Sequence, residues 1–296
     1  MNKSLDIEGL LKAKPSRSVA QQLLKWAADT RNRIDRGDMV IGILTPEEVA
    51  KIPAAYRMAA QHGDPTAWVT LAWWYASPQF GKPDLELAEG ALQEAINSRV
   101  EIARLELVKI RWFFKRDSAT EREKQEAYQL TSSIVEKDPN NAEAVHFIAL
   151  LTTHGFGTVV SPEAGFKLQQ KASDLGNADA MFEMYIHYTQ GRGVAPDETA
   201  ALNVCRRAAE VGHARAMYNM GAFNANGRGM PKNIPEAVNW YERAADAGNP
   251  SAMVGLAVIY ATGDGVEEDR EYAEQLFDQA DYRGLNVSQA RTHVGL

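Results

Sequence analysis

Apolar positions in the C-terminal half of the chain follow a helical period that glycines interrupt at a constant interval. From Asn177 to Gln190, Ala180, Met184 and Tyr188 stand at i, i+4 and i+8, the spacing that lines one face of an α-helix. Gly191 and Gly193 are placed to end that helix, because glycine enters the left-handed conformation that a helix C-cap requires. Val194 can then turn back onto the core, and Asp197 is a candidate N-cap for a second helix. That helix runs through the small residues Ala201, Ala208 and Ala209, which permit close packing, and Gly212 stops it. The next begins at His213, where sibling segments place the better N-caps Asn177 and Asn249.

The same phases return every 36 residues: Gly155, Gly191, Gly227 and Gly263; Gly157, Gly193, Gly229 and Gly265; Gly176, Gly212, Gly248 and Gly284. Ala172, Ala208, Ala244 and Ala280 keep the same step. The predicted unit is helix, glycine turn, helix, glycine stop. Short connections make its helices antiparallel, and stacked units give an all-α fold, an α-solenoid of antiparallel helix pairs.

Upstream the pattern weakens. Gly63 to Gly176 spans 113 residues where three periods would span 108, so an insertion or slipped register is expected. Arg99 to Lys137 lacks the glycine pair, and its charged stretch KRDSATEREKQEAY predicts a longer turn and a polar helix face. Thr152 and Asn224 replace the tyrosine of the first helix and are expected to loosen packing there. Gln21 to Ile34 reads as a helix with Leu23, Leu24, Ala27 and Ile34 on or near one face, and Thr45-Pro46-Glu47-Glu48 reads as a helix start. The expected organisation is an N-terminal helical cap over residues 1–43, a repeat solenoid over 44–284 and a C-terminal capping segment over 285–296.

The stretch Ala214 to Gly248, ARAMYNMGAFNANGRGMPKNIPEAVNWYERAADAG, resembles a Sel1-like repeat, a relative of the tetratricopeptide repeat. Met220-Gly221, Gly227-x-Gly229, Ala237, Trp240-Tyr241 and Ala244-Ala245 carry the likeness. Leu71, Ala72 and Tyr75 upstream stand at the Leu-Gly-x-x-Tyr positions of the same pattern, and DPNNAEA from Asp138 to Ala144 is similar to the junction between classical tetratricopeptide repeats. The resemblance implies a right-handed superhelix that binds a protein or peptide partner along the concave surface of its first helices. On that alignment the groove positions lie two before and two after the leucine position of each first helix. They give Val69, Trp73, His146, Phe182, Ile186 and Tyr218 as partner-binding residues, with Leu150, Ala222, Val254 and Val258 at the same phases. Aromatic residues at helical spacing also suit a core, and both readings stay open at Trp73, Phe182 and Tyr218. The resemblance allows a bacterial scaffold or adaptor, and equally an immunity or inhibitor protein that blocks a toxin. An enzyme or small-molecule binder is a remote third class, and self-association through solenoid ends is compatible with the first two.

Composition narrows this picture. Of 296 residues, 32 are Lys or Arg and 39 Asp or Glu, a formal net charge of −7 with the two signs interspersed, which argues against a nucleic-acid surface. Cys205 is the only cysteine, so no intrachain disulfide forms; a buried small hydrophobe is its expected role. The residues from Met1 lack a secretory apolar stretch and no window approaches a membrane span, so the expected location is cytoplasmic. The six histidines show no H-E-x-x-H or close His/Cys pairing, and the G-x-G pairs follow helices without a G-K-[ST]. No catalytic residue, cofactor or metal is therefore assigned, and the chain is expected not to be an enzyme.

Overall fold

A computed structural model describes residues 6–14, 16–35, 45–78 and 82–296. The N-terminal stretch Met1 to Leu5 and the expected boundary at residues 43 and 44 lie outside them, as does the side chain of Ile34. The described residues form helices and turns only, in consecutive antiparallel pairs, an all-α solenoid. They divide into two compact units, Met1–Thr131 and Ser132–Leu296, with the division inside helix α7 (Glu121–Lys137).

The first unit contains α1 (Ile7–Lys12), α2 (Arg17–Asp35), α3 (Pro46–His62), α4 (Ala67–Ala76), α5 (Leu85–Asn97), α6 (Ala103–Lys115) and the start of α7. Thr45 opens α3 with a reciprocal capping box: Glu48 N donates to Thr45 Oγ1 at 3.2 Å and Thr45 N donates to a Glu48 carboxylate oxygen at 2.8 Å. Leu23, Ile52, Tyr56, Leu71, Leu92 and Ile110 are fully buried and form the centre of its core.

The connection between α6 and α7 departs from expectation. It is shorter than the glycine turns, five residues (116–120) against the seven (155–161) that follow α8 (Ala142–His154). A second capping box explains this. Glu123 N donates to Thr120 Oγ1 at 3.2 Å, and Thr120 N donates to Glu123 Oε2 at 2.7 Å, so the helix starts at once without a glycine. The charges of this stretch, expected on a solvated face, build an ion cluster. Arg111, 5% exposed, bonds Glu89 at 3.1 Å and Glu126 at 3.0 Å, and Lys115 Nζ reaches Glu89 at 2.9 Å and Glu123 at 2.5 Å. Three helices are thereby tied together where the glycine pattern lapses.

The second unit continues with α8, α9 (Pro162–Asp174), α10 (Ala178–Gln190), α11 (Glu198–Glu210), α12 (Ala214–Asn226), α13 (Ile234–Asp246), α14 (Pro250–Thr262), α15 (Arg270–Tyr282) and a short α16 (Ser288–Val294). Asn141, Asn177 and Asn249 cap α8, α10 and α14 through side-chain oxygens. His213 does the same for α12 with a ring nitrogen, Nδ1 accepting from Ala216 N at 3.1 Å, so the weaker-looking cap is a working one. At Gly193 the conformation and the space both demand glycine. Its φ is +72°, and a Cβ there would lie 2.2 Å from the carbonyl oxygen of Pro162 in the preceding pair. Asn224 stays buried by folding its amide back onto the Met220 carbonyl at 2.8 Å, while the Thr152 hydroxyl, also buried, has no partner among the described residues.

Successive pairs interlock through one inward position of each second helix, occupied by Gln169, Cys205, Tyr241 and Phe277. All four are buried, and three of them are at most 1% exposed. Tyr241 of α13 fits between glycines of the flanking first helices. A Cβ on Gly221 of α12 would come within 2.6 Å of its ring, and one on Gly255 of α14 within 2.9 Å. One repeat earlier the volumes are exchanged: Cys205 is small, and its neighbours on α10 and α12 are Tyr185 and Asn219.

Two predictions follow from this packing. Ala244, fully buried in α13, has no room for a larger side chain, so Ala244→Leu is expected to destabilise the chain by about 1–3 kcal/mol. An unchanged urea midpoint would show that the position is not close-packed. The second concerns Glu123, whose carboxyl is pulled from 4.5 to about 2 by the Lys115 hydrogen bond and then by the Thr120 cap. A carboxyl depressed on folding stabilises above its unfolded value and loses that contribution as pH falls from 4.5 toward 2. Glu123→Gln keeps the cap but removes the charge. Urea unfolding of the variant is expected to depend less on pH below 4.5 than that of the parent chain; equal pH dependence would remove the cluster from the acid response.

Candidate functional site

The first helices of the second unit differ from the second helices in where they carry charge. Helices α11, α13 and α15 hold four, four and five charged residues, whereas α12 holds only Arg215 and α14 none. A helix as apolar as α14 would ordinarily be covered on every side. Its buried residues Ala252, Met253, Leu256, Ala257, Ile259 and Ala261 do enter the core, but Val254 and Val258 are only half-buried. Tyr218 and Ala222 of α12, and Ile186 of α10, stand at matching phases and are half-buried too. The result is a partly open apolar face across α12 and α14 whose one charged residue is Arg215.

The six residues expected to line a groove do not behave alike. Val69, His146 and Phe182 are buried, at 9%, 4% and 4% exposure, so a continuous open stripe through all six is not what the chain forms. At Phe182 the position two before the leucine packs toward the start of the next first helix. The Phe182 ring stacks on His213 with centroids 4.5 Å apart, and the Arg215 guanidinium lies 4.7 Å from its centre. Trp73, in the first unit, is half-buried; its Nε1 donates to Glu106 at 2.7 Å and its ring meets Phe114 edge-on at 6.1 Å. Ile186 and Tyr218 remain half-buried in the second unit, with the Tyr218 ring 5.8 Å from that of Tyr241. Arg215 was not singled out by spacing, although one signal was present. It occupies a first-turn position where α8 and α10 carry Glu143 and Asp179, the charge a helix N-terminus favours.

One helix pair has a polar interior. His146, Thr152, Thr153, Gln169 and Ser173 of α8 and α9 are all buried, and Gln169 Nε2 donates to His146 Nδ1 at 2.8 Å. The oxygen of that amide, Gln169 Oε1, has no partner among the described residues. Burial pushes the His146 imidazole below its ordinary value, with the Asp179 charge opposing. Cys205 is fully buried, and burial pushes its thiol up to about 12, so it stays protonated and unreactive near neutral pH. Among the described residues no three His, Cys, Asp or Glu side chains are grouped to hold a metal ion, and no helix is long and apolar enough to cross a membrane.

The family model of the Sel1 repeat matches residues 142–177, 178–213, 214–249 and 250–280, in step with the pairs that begin at α8, α10, α12 and α14. Residues 142–280 of this chain are four Sel1 repeats. Sel1-like repeats are protein-interaction modules, and the coarse role of this chain follows from them. Its structure is similar to that of a Sel1 repeat protein from Oxalobacter formigenes, with 29% identity, 57% of this chain and 70% of that one covered, and a TM-score of 0.53. It is also similar in fold to c5321, a protective antigen of uropathogenic Escherichia coli strains displaying an SLR fold. That match has 22% identity and a TM-score of 0.53, and covers 83% of this chain and 51% of the other. No curated protein sequence matches the chain.

The His146–Gln169 pair generates a pH prediction. A buried histidine whose value is depressed on folding stabilises while neutral, so its contribution is complete above 6.5 and is lost as pH falls below that value. Unfolding midpoints measured at neutral pH and below 6.5 are expected to differ more for the parent chain than for a His146→Phe, Gln169→Leu variant, which removes both partners together. If the two chains lose stability equally, the titration lies elsewhere.

Proposed function

We propose that this protein is an adaptor or scaffold whose second unit binds a partner polypeptide across the face of α12 and α14, working in the cytoplasm, where its lone buried thiol suits a reducing environment. The observation that carries the reading is the partition of charge. The second helices carry the charged residues, and the first-helix face around Tyr218, Ala222, Val254 and Val258 is apolar and half-open. Interface centres are depleted in charge and enriched in aromatic and apolar side chains, and an amphipathic helix or extended segment fits such a surface. Ile186 extends the same face onto α10. The buried Val69, His146 and Phe182 serve this reading by holding the framework, and Trp73 belongs to a separate cluster of the first unit.

The test is capture of binding partners from a bacterial lysate by the full chain and by a Tyr218→Ala, Val258→Asp variant checked for unchanged helicity and melting. A stoichiometric partner that the variant binds about 30-fold more weakly, the scale of a lost hot spot, is the expected result. A partner held equally by both chains would move the interface off this face. If the captured partner is an enzyme or toxin silenced by binding, the chain acts as an inhibitor or immunity protein through the same surface.

A further inference from the structure

The docking face contains one charge, and its setting is unusual. Arg215 sits in the first turn of α12, where a cation opposes the positive end of the helix. The equivalent turns of α8 and α10 carry Glu143 and Asp179, and that of α14 carries Ser251. Arg215 is exposed and forms no ion pair among the described residues; its guanidinium rests on the Phe182 ring at 4.7 Å. The nearby acids do not neutralise it. Asp179 is engaged with His213 Nε2 at 3.3 Å, and Glu183, half-buried on α10, feels Arg215 without pairing with it. Stacking on Phe182 holds the guanidinium in place while leaving its N–H groups unused, so the cation is pre-oriented at low entropic cost.

Arg215 and Tyr218 are three residues apart and Arg215 and Ala222 seven apart, so all three lie on one face of α12. The surface therefore runs from a cation at one end to apolar side chains over the next two turns, with uncharged α14 beside it. The chain carries a net charge of −7, yet the one charged residue of α12 and α14 is a cation.

We infer that the partner segment received by α12 and α14 is acidic and apolar: a carboxylate side chain placed to pair with Arg215, followed within one or two helical turns by apolar side chains that cover Tyr218, Ala222, Val254 and Val258. The inference rests on the docking reading above and adds the chemistry of the occupant. An aspartate or glutamate of the segment forms a forked pair with the guanidinium, which fixes the direction in which the segment lies. The apolar contacts supply the affinity, and the charge supplies selection against basic segments.

The experiment is selection from a random peptide library displayed on phage, run in parallel against the full chain, Arg215→Glu, and Val258→Asp, each verified by its circular dichroism and melting. The full chain is expected to enrich peptides with an acidic residue three to seven positions from an apolar pair. The same peptides, synthesised, should bind Arg215→Glu at least tenfold more weakly, and Arg215→Glu should enrich lysine or arginine at the matching position. Peptides enriched on the full chain and lost on Val258→Asp, yet without an acidic preference and unaffected by Arg215→Glu, would overturn the inference while leaving the docking face standing. Peptides unaffected by either substitution, or no enrichment on the full chain, would overturn both.

Discussion

One inward side chain of each second helix fills the gap between two successive first helices, and the stacking of the second unit depends on how that gap is shared. At Tyr241 the ring occupies space that Gly221 and Gly255 leave free on either side. At Cys205 the roles reverse, and Tyr185 and Asn219 bring the volume from the first helices. Interiors are packed to crystal-like density, so what one helix adds its neighbours must give up. The repeats can therefore differ strongly in sequence while keeping one geometry, provided the three positions change together. The turns obey the same limit: the chain passes so close to Pro162 at Gly193 that only a bare Cα fits.

Where the glycine pattern lapses, electrostatics takes over part of this work. The turn between α6 and α7 is closed by the Thr120–Glu123 capping box, and Arg111 and Lys115 collect carboxylates from α5 and α7 around it. Such a cluster holds only while its carboxylates are ionised. The pair α8–α9 shows a second substitution of polar for apolar contacts, with His146 and Gln169 where its siblings place Phe182 or Tyr218 and Tyr241 or Phe277. Two buried polar atoms of that pair, on Thr152 and Gln169, lack partners among the described residues, which makes it less favourably packed than the pairs after it.

The half-open face of α12 and α14 follows from the same limits of space and charge. Second helices keep their charges in water, so α12 and α14 are left with a surface of Tyr218, Ala222, Val254 and Val258 and the single cation Arg215. Half-burial distinguishes these residues from the core beneath them. A resemblance that aligns the chain by repeat phase treats Val69, Phe182 and Val254 as equivalents, yet only Val254 of the three keeps a half-open side chain.

Helix limits were legible in the sequence because their determinants act within a turn of the chain. Asn177, Asn249 and Asp197 cap where they were expected to, Gly191 and Gly227 take left-handed conformations at the ends, and the 36-residue step orders the pairs. The five-residue turn at 116–120 is shorter than the absence of glycines predicts, because a local capping box, Thr120 with Glu123, closes it instead. The fate of side chains on a face is a different kind of fact. Phe182 is closed by His213 and Arg215, Trp73 by Glu106 and Phe114, and Tyr241 by two glycines on helices before and after it. Those partners lie a dozen or more residues away along the chain, so local periodicity names the face and only the packing of one pair against the next decides which of its residues stay open.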